Sequence, residues 1–355
     1  MEARSVAPPA WLPTWPPQND AIAAAIERCY RSGDYGNYRS DSHDEFASRL
    51  IRLSDRQWCR PMSSGSLAIE MSLRALRLGP ESRIAVAAFD YPGVLRAVEC
   101  LGARPVLVDC RSDHPVIDVD ALARLDASAV HAVVASHLYG ASVAVDSLET
   151  LCEERGWAFI EDACQSIGMT IGGRPVGSFG NLSCLSFGGS KPVTAGSGGA
   201  IVGNDAASEA RLRRWLDRPS DAAPMSPLQF AVIGPQLDDL QSNLNRKRSV
   251  AQSLGEIIPT LPAQTDTVPA YYKFPMVCQS PSHREAVVRS AEHAGLPIGL
   301  PFRAWDRVSE KRCEKPMPLV HAKRWSETLA LLDHRALLVA ADDVPRLCDA
   351  VSRVW

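Results

Sequence analysis

Lysine is scarce in this chain. Of 38 Lys and Arg residues, the only lysines are Lys191, Lys247, Lys273, Lys311, Lys315 and Lys323, so positive charge is carried almost wholly by arginine. A basic excess is missing as well, because 38 Lys+Arg face 41 Asp+Glu and the net charge is -3. Phosphate-backbone recognition needs a strongly basic face, so no nucleic-acid partner is expected. No apolar run reaches the ~18 residues of a membrane span, and none is expected. The opening MEARSVAPPAWLPTWPPQND is broken by prolines and resembles neither a secretory nor a transit signal. A soluble, cytoplasmic protein is expected. The 10 cysteines form no C-x-x-C pair and no zinc-like cluster, so they read as reduced thiols and no metal site is expected.

What is present is ordinary globular composition, with 46% hydrophobic and 22% charged residues over 355 positions. A chain of this length buries roughly three quarters of its unfolded surface and can support a large domain with a smaller one. Residues 22–31 have helical spacing and stop at Ser32-Gly33. From about Phe46 strands and helices alternate. Helices are expected over 66–78, 93–101 and 147–155, and strands over 84–89, 105–109, 130–136, 158–162, 184–187 and 200–202. That series predicts an α/β fold with a mostly parallel central sheet covered by helices on both faces. Composition shifts to Pro, Ser, Asp and Ala over 219–227, and 236–257 reads as one long amphipathic helix bridging to a second unit. There a strand is expected over 271–277, with helices over 282–294 and 344–354. The expected organisation is an arm over 1–21, a large domain over 22–235 and a small α+β domain over 236–355.

Three segments could carry chemistry. Ser63-Ser64-Gly65-Ser66 precedes a helix, where free N–H groups and the dipole suit a phosphate, although a plain N-cap gives the same pattern. A hydrophobic strand ends in Glu161-Asp162, and ligands of open parallel sheets sit at such strand ends; Asp162 is the better placed of the two. Lys191 lies between Gly188-Gly189-Ser190 and a second glycine-rich run. That context suits a desolvated amine able to form a Schiff base. A nucleotide phosphate loop fails on spacing, since Ser190 precedes Lys191 and Pro192 follows it. A phosphate cradle, an acid and a lysine are together what pyridoxal phosphate requires.

These residues also carry a resemblance. The segments SSGSLAIEMSLRALRL, AAFDYPG, GARPVLVDC, SHLYG, FIEDACQSIG, VGSFGNLSCLSFGGSK and GSGGAIVGND resemble, in order, the motifs of the DegT/DnrJ/StrS family of fold-type I pyridoxal-phosphate-dependent sugar aminotransferases. The resemblance implies catalytic roles for Lys191, as the Schiff-base lysine, and for Asp162, as partner of the pyridine nitrogen. It further implies that Gln165 meets the ring hydroxyl, that Tyr91 stacks on the ring, and that Gly65, Ser66 and Ser186 hold the phosphate. A homodimer is implied, as is amino transfer from glutamate or glutamine to a keto sugar or related intermediate. Two other readings stay open, a pyridoxal-phosphate enzyme of elimination or dehydration chemistry and an inactive regulatory relative. Lys191 argues against the family's dehydratase branch, where histidine stands in its place. The chain departs from the family pattern at Ala87-Ala88-Phe89-Asp90-Tyr91, at Gly196-Ser197-Gly198-Gly199 and over 298–305, and the family's element that sends an asparagine to the neighbouring subunit's phosphate is not recognisable before Met225-Ser226-Pro227. His137 lies near the site in the family pattern and reads equally as a packed strand-end histidine, Arg303 reads as a surface residue before a binder of a substrate carboxylate or phosphate, and the loop of Tyr35 and Tyr38 as a border of the substrate site.

Overall fold

A computed structural model describes residues 7–216 and 223–355. The first half runs α1 (Asp20–Ser32), α2 (Asp41–Ser54), β1 (Trp58–Met62), α3 (Gly65–Ala75), β2 (Arg83–Ala87), α4 (Pro92–Cys100), β3 (Arg104–Val108), α5 (Val119–Ala123), β4 (Ala132–Ser136), α6 (Val145–Arg155) and β5 (Ala158–Asp162). It continues through β6 (Thr170–Ile171), β7 (Arg174–Pro175), β8 (Leu182–Ser186), β9 (Gly199–Gly203), α7 (Ala206–Leu216), α8 (Pro227–Asp238) and α9 (Leu240–Gly255). The last part holds β10 (Thr267–Val268), β11 (Lys273–Val277), α10 (Pro281–His293), β12 (Ile298–Gly299), α11 (Val320–Thr328), β13 (Leu329–Asp333) and α12 (Val344–Val354).

The central sheet has the order β1-β9-β8-β5-β4-β2-β3. Pairings among β8, β5, β4, β2 and β3 are parallel, while β9 runs antiparallel to both β8 and β1. Strands such as β4, Ala-Val-Val-Ala-Ser, are buried along their whole length, as expected for a sheet covered on both faces. Because β8, β5, β4 and β2 share a direction, their last residues Ser186, Asp162, Ser136 and Ala87 fall along one edge of the sheet. Chemistry placed there is held by backbone buried on both sides.

A second sheet, β11-β13-β12, is wholly antiparallel and packs with α10. It belongs to a separate core that includes Val250, Leu254, Phe274, Met276, Leu332 and Val351, together with Leu12 from the N-terminal arm. The change of core happens inside α9, whose Leu244 lies in the first core and Val250 in the second.

Several elements differ from the sequence reading. The single helix over 236–257 is two helices, broken at Asp239. Pro235 inside α8 lacks an N–H and strains the preceding turn, and Gln236 belongs to α8. Asp41–Ser54 forms a helix that begins ahead of Phe46, where the alternation was expected to start, because Ser40 and His43 form a reciprocal cap. β1, α7, α11 and β13 carry no strong period in sequence. Of the break over 219–227, residues 219–222 lie outside the described residues, as do residues 1–6 of the arm. The stop expected at Ser32-Gly33 is present, with Gly33 at φ 74 taking the left-handed cap that few other residues tolerate. Among the described residues, no helix is long and apolar enough to cross a membrane.

Candidate active site

The site grows from the strand ends. Ser64 caps α3, its hydroxyl accepting from Leu67 N–H at 3.1 Å, so Gly65 and Ser66 open the helix at its positive end. Glycine at 65 is a steric requirement, since a Cβ there would meet Cys164 Sγ and Ser186 Cβ, each at 2.8 Å. A Cβ at Gly93 would come within 2.3 Å of the Tyr91 ring and 2.7 Å of Ser66 Oγ. Small residues thus bring the start of α3, the end of β8 and the start of α4 together.

At the end of β5 the pleat separates two neighbouring carboxylates. Glu161 is fully buried among donors, with His137 Nε2 at 3.1 Å, Ser183 Oγ at 2.6 Å, and the N–H groups of Gly177 and Phe179. Burial pushes its pKa up, but the hydrogen bonds from His137, Ser183 and Gly177 outweigh that and hold it below the ordinary value. Val143 N–H donates to His137 Nδ1, so Nε2 carries the proton toward Glu161; His137 is a packed structural residue. Asp162 instead faces a cavity. Its Oδ1 accepts from Cys164 N–H at 2.9 Å, and its Oδ2 lies 3.1 Å from Ser136 Oγ.

The lysine loop between β8 and β9 is pinned from within. Lys191 N–H donates to Gly188 O at 2.9 Å, and Thr194 is clamped by Gln236, whose Oε1 accepts from Thr194 N–H and whose Nε2 donates to Thr194 O. Lys191 Nζ then lies 4.3 Å from the centroid of the Tyr272 ring. Tyr272 is fixed in turn by a 2.9 Å contact between its hydroxyl and Ser190 Oγ.

The residues expected to carry catalysis and hold the cofactor meet in one cavity of about 390 Å³. Gly65, Ser66, Tyr91, Asp162, Gln165, Ser186 and Lys191 line it, beside Cys164, Tyr272 and Phe302. Tyr91 and Phe302 form an aromatic wall with ring centroids 5.6 Å apart. Sequence reasoning missed Tyr272, Phe302 and Gln236, which enter from beyond the parallel sheet; only for Phe302 was there a signal, its position in a stretch departing from the family pattern. Tyr35 and Tyr38 border a separate cavity of about 460 Å³ with Arg39 and Arg60. The expectation that their loop borders this same site within one chain is therefore not met. Among the described residues no cluster of His, Cys, Asp and Glu is arranged to hold a metal ion.

Comparison with known proteins decides the family, since the sequence model described as the DegT/DnrJ/EryC1/StrS aminotransferase family matches residues 17–352. The chain belongs to this family. It is a pyridoxal-phosphate-dependent aminotransferase. It is similar to GDP-perosamine synthase of Vibrio cholerae, 27% identical over 266 residues that cover 71% of this chain and 72% of the relative. It is also similar to L-glutamine:scyllo-inosose aminotransferase of Streptomyces griseus, 25% identical with 96% of this chain and 94% of the relative covered. A Streptococcus pneumoniae protein solved in its PLP form shares the fold, with a TM-score of 0.87, 18% identity and 97% of both chains covered.

The family's cofactor fits the residues present. Gln165 Oε1 is buried with no hydrogen-bond partner among the described residues, an arrangement that costs free energy unless a ligand donor meets it. The cavity joins that orphan acceptor to a carboxylate, a primary amine, a helix start and an aromatic face, which are the groups the cofactor's ring, aldehyde and phosphate call for.

Proposed function

We propose that this aminotransferase moves an amino group from glutamate or glutamine to a keto sugar or a related cyclic keto intermediate, with Lys191 and Asp162 as its catalytic residues. The observation that carries the assignment is the convergence of Lys191, Asp162, Gln165, Tyr91 and the Gly65-Ser66 helix start on one cavity. The acceptor class is supported by the relatives, which are named for amino transfer to sugar or inosose substrates.

Bound pyridoxal phosphate supplies an electron sink for charge developing at the substrate's Cα. Lys191 Nζ would hold its aldehyde carbon, Asp162 would face the pyridine nitrogen, Gln165 the ring hydroxyl and Tyr91 the ring face. Gly65, Ser66 and Ser186 would hold the phosphate, where the dipole of α3 favours negative charge. Lys191 Nζ would take a proton from the donor's Cα and later return one, as general base and then acid. The Ser190–Tyr272 contact keeps that amine over the cavity.

Three further assignments belong to this reading. The protein works as a homodimer, supported by the exposed aromatics Tyr30, Tyr35 and Tyr38 grouped at one surface. It is cytoplasmic, supported by ten cysteines that are all free thiols. Its organisation is an arm over 1–21, a large unit over 22–235 and a small unit over 236–355, supported by the two hydrophobic cores.

The test is the absorption spectrum of the purified protein with pyridoxal phosphate, before and after L-glutamate or L-glutamine, beside Lys191→Ala. A visible band that requires Lys191 and bleaches with either donor is expected. A band independent of Lys191 would remove the lysine assignment, and a lysine-dependent band indifferent to both donors would remove the donor assignment.

A further inference from the structure

Behind Asp162 stands a second carboxylate that the assigned roles do not use. Asp90, between β2 and α4, is completely buried. Its Oδ1 accepts from Tyr91 N–H at 2.6 Å, and its Oδ2 lies 2.7 Å from Ser136 Oγ. The same Ser136 oxygen lies 3.1 Å from Asp162 Oδ2. A serine hydroxyl has one hydrogen, so with two ionised carboxylates it could serve both oxygens only by a shared, weaker bond. A proton on one of the carboxyl groups supplies the second hydrogen and satisfies both contacts.

The surroundings choose which. Asp162 opens on the cavity beside Lys191, where a cation can offset its charge, whereas Asp90 has only the Tyr91 N–H and the Ser136 hydroxyl. Burial first, and then the charge of Asp162, push the Asp90 pKa well above the ordinary carboxylate range, while Ser136, Tyr91 N–H and the charge of Lys191 pull against that. The other titratable groups facing Asp90 are the buried Cys110 thiol, after β3, and the Tyr139 phenol, after β4, and neither supplies positive charge.

We propose that Asp90 is a positioning residue: it is a neutral carboxylic acid at working pH that donates to Ser136 Oγ, and through that hydroxyl it holds Asp162 aimed at the cavity. In this chain of three, Asp90 O–H donates to Ser136, whose own hydrogen points to Asp162 Oδ2. The oxygens of Asp162 are thereby fixed by Ser136 and Cys164 N–H with lone pairs left toward the cavity. A charged Asp90 would instead place a second anion behind the first and turn the serine hydrogen away from it. The proposal rests on the cofactor reading for its consequence and on geometry alone for the proton.

Infrared spectroscopy decides the proton in protein free of cofactor. At pH 8 the wild type is expected to show the C=O stretch of a buried carboxylic acid, and Asp90→Asn is expected to lack it. Absence of the band in the wild type, or its survival in Asp90→Asn, would overturn the proposal even if the cofactor reading stands. The positioning role is read by equilibrium binding and by the pH dependence of the bound cofactor's absorption. Asp90→Leu and Ser136→Ala are each expected to bind pyridoxal phosphate roughly ten- to a hundredfold more weakly, as the loss of a buried partner implies, and to shift the absorption–pH profile. Asp90→Asn, whose amide can still donate to Ser136, is expected to restore both to within about threefold of wild type. If Asp90→Leu matches the wild type in affinity and profile, Asp90 only fills space and the positioning role is wrong.

Discussion

Lys191 Nζ stands over the ring of Tyr272, 4.3 Å from its centroid, although the two residues come from opposite ends of the molecule's topology. Lys191 lies in the loop entering β9, whereas Tyr272 immediately precedes β11 of the small sheet. Tyr272 nevertheless belongs to the large core, so the site depends on the chain returning to that core after α9. Tyr272→Ala is expected to slow bleaching of the lysine-dependent band by an amino donor roughly tenfold, because the amine loses its placement. Tyr272→Phe keeps the ring and removes only the Ser190 contact, and should change that rate by less than about threefold. Stopped-flow absorption distinguishes the two.

Glu161 is expected to matter for folding and not for chemistry. Glu161→Ala strands His137, Ser183 and the N–H groups of Gly177 and Phe179, and should cost roughly 3 kcal/mol or more by denaturant unfolding. Since the folded-state pKa lies below the unfolded one, its contribution is present above the ordinary glutamate pKa and lost as pH falls through the depressed value. The gap between wild type and Glu161→Ala should accordingly shrink on acidification. A constant gap down to the lowest workable pH would contradict this.

Lys247 should give a slope of the same sign at higher pH. Its amine is buried in α9, donating to Ala270 O at 2.5 Å and Tyr271 O at 3.4 Å, next to the left-handed backbone of Tyr271 at φ 45. Burial, and then the charge of Arg248, lower its pKa to about 7. Between that value and the ordinary lysine range the unfolded chain binds more protons, so stability from this group rises with pH across that window. Lys247→Met removes the rise, and the Tm difference from wild type between pH 7 and the upper end of the window is the measurement.

Gly93 tests the cavity's shape without touching a charged group. Gly93→Ala must displace the Tyr91 ring or Ser66 Oγ. Tyr91 is partly exposed and can move, so the fold should survive with little change in Tm while affinity for pyridoxal phosphate falls roughly tenfold. An unchanged affinity would show that the ring's position does not govern binding.

How much of this was legible in sequence differs by element. The parallel strands were readable because burial on both faces leaves continuous apolar runs, as in 132–136 and 158–162. Site residues on those strands, Asp162 and Ser186, inherit their place from strand direction, and Lys191 stood out by its glycine-rich surroundings. By contrast α2 was hidden because its start depends on a reciprocal Ser40–His43 cap, and the break at Asp239 was hidden because polar helix spacing continues across it.

Local chemistry thus determined the strand ends, the lysine loop and the capped start of α3, since each depends on residues close in the chain. Only the tertiary structure decided that Gln236 clamps Thr194, that Tyr272 reaches Lys191, and that Ser136 stands between Asp90 and Asp162. Those contacts join residues tens of positions apart, and their existence depends on strand order and on how later segments pack back onto the large core, which no local period encodes.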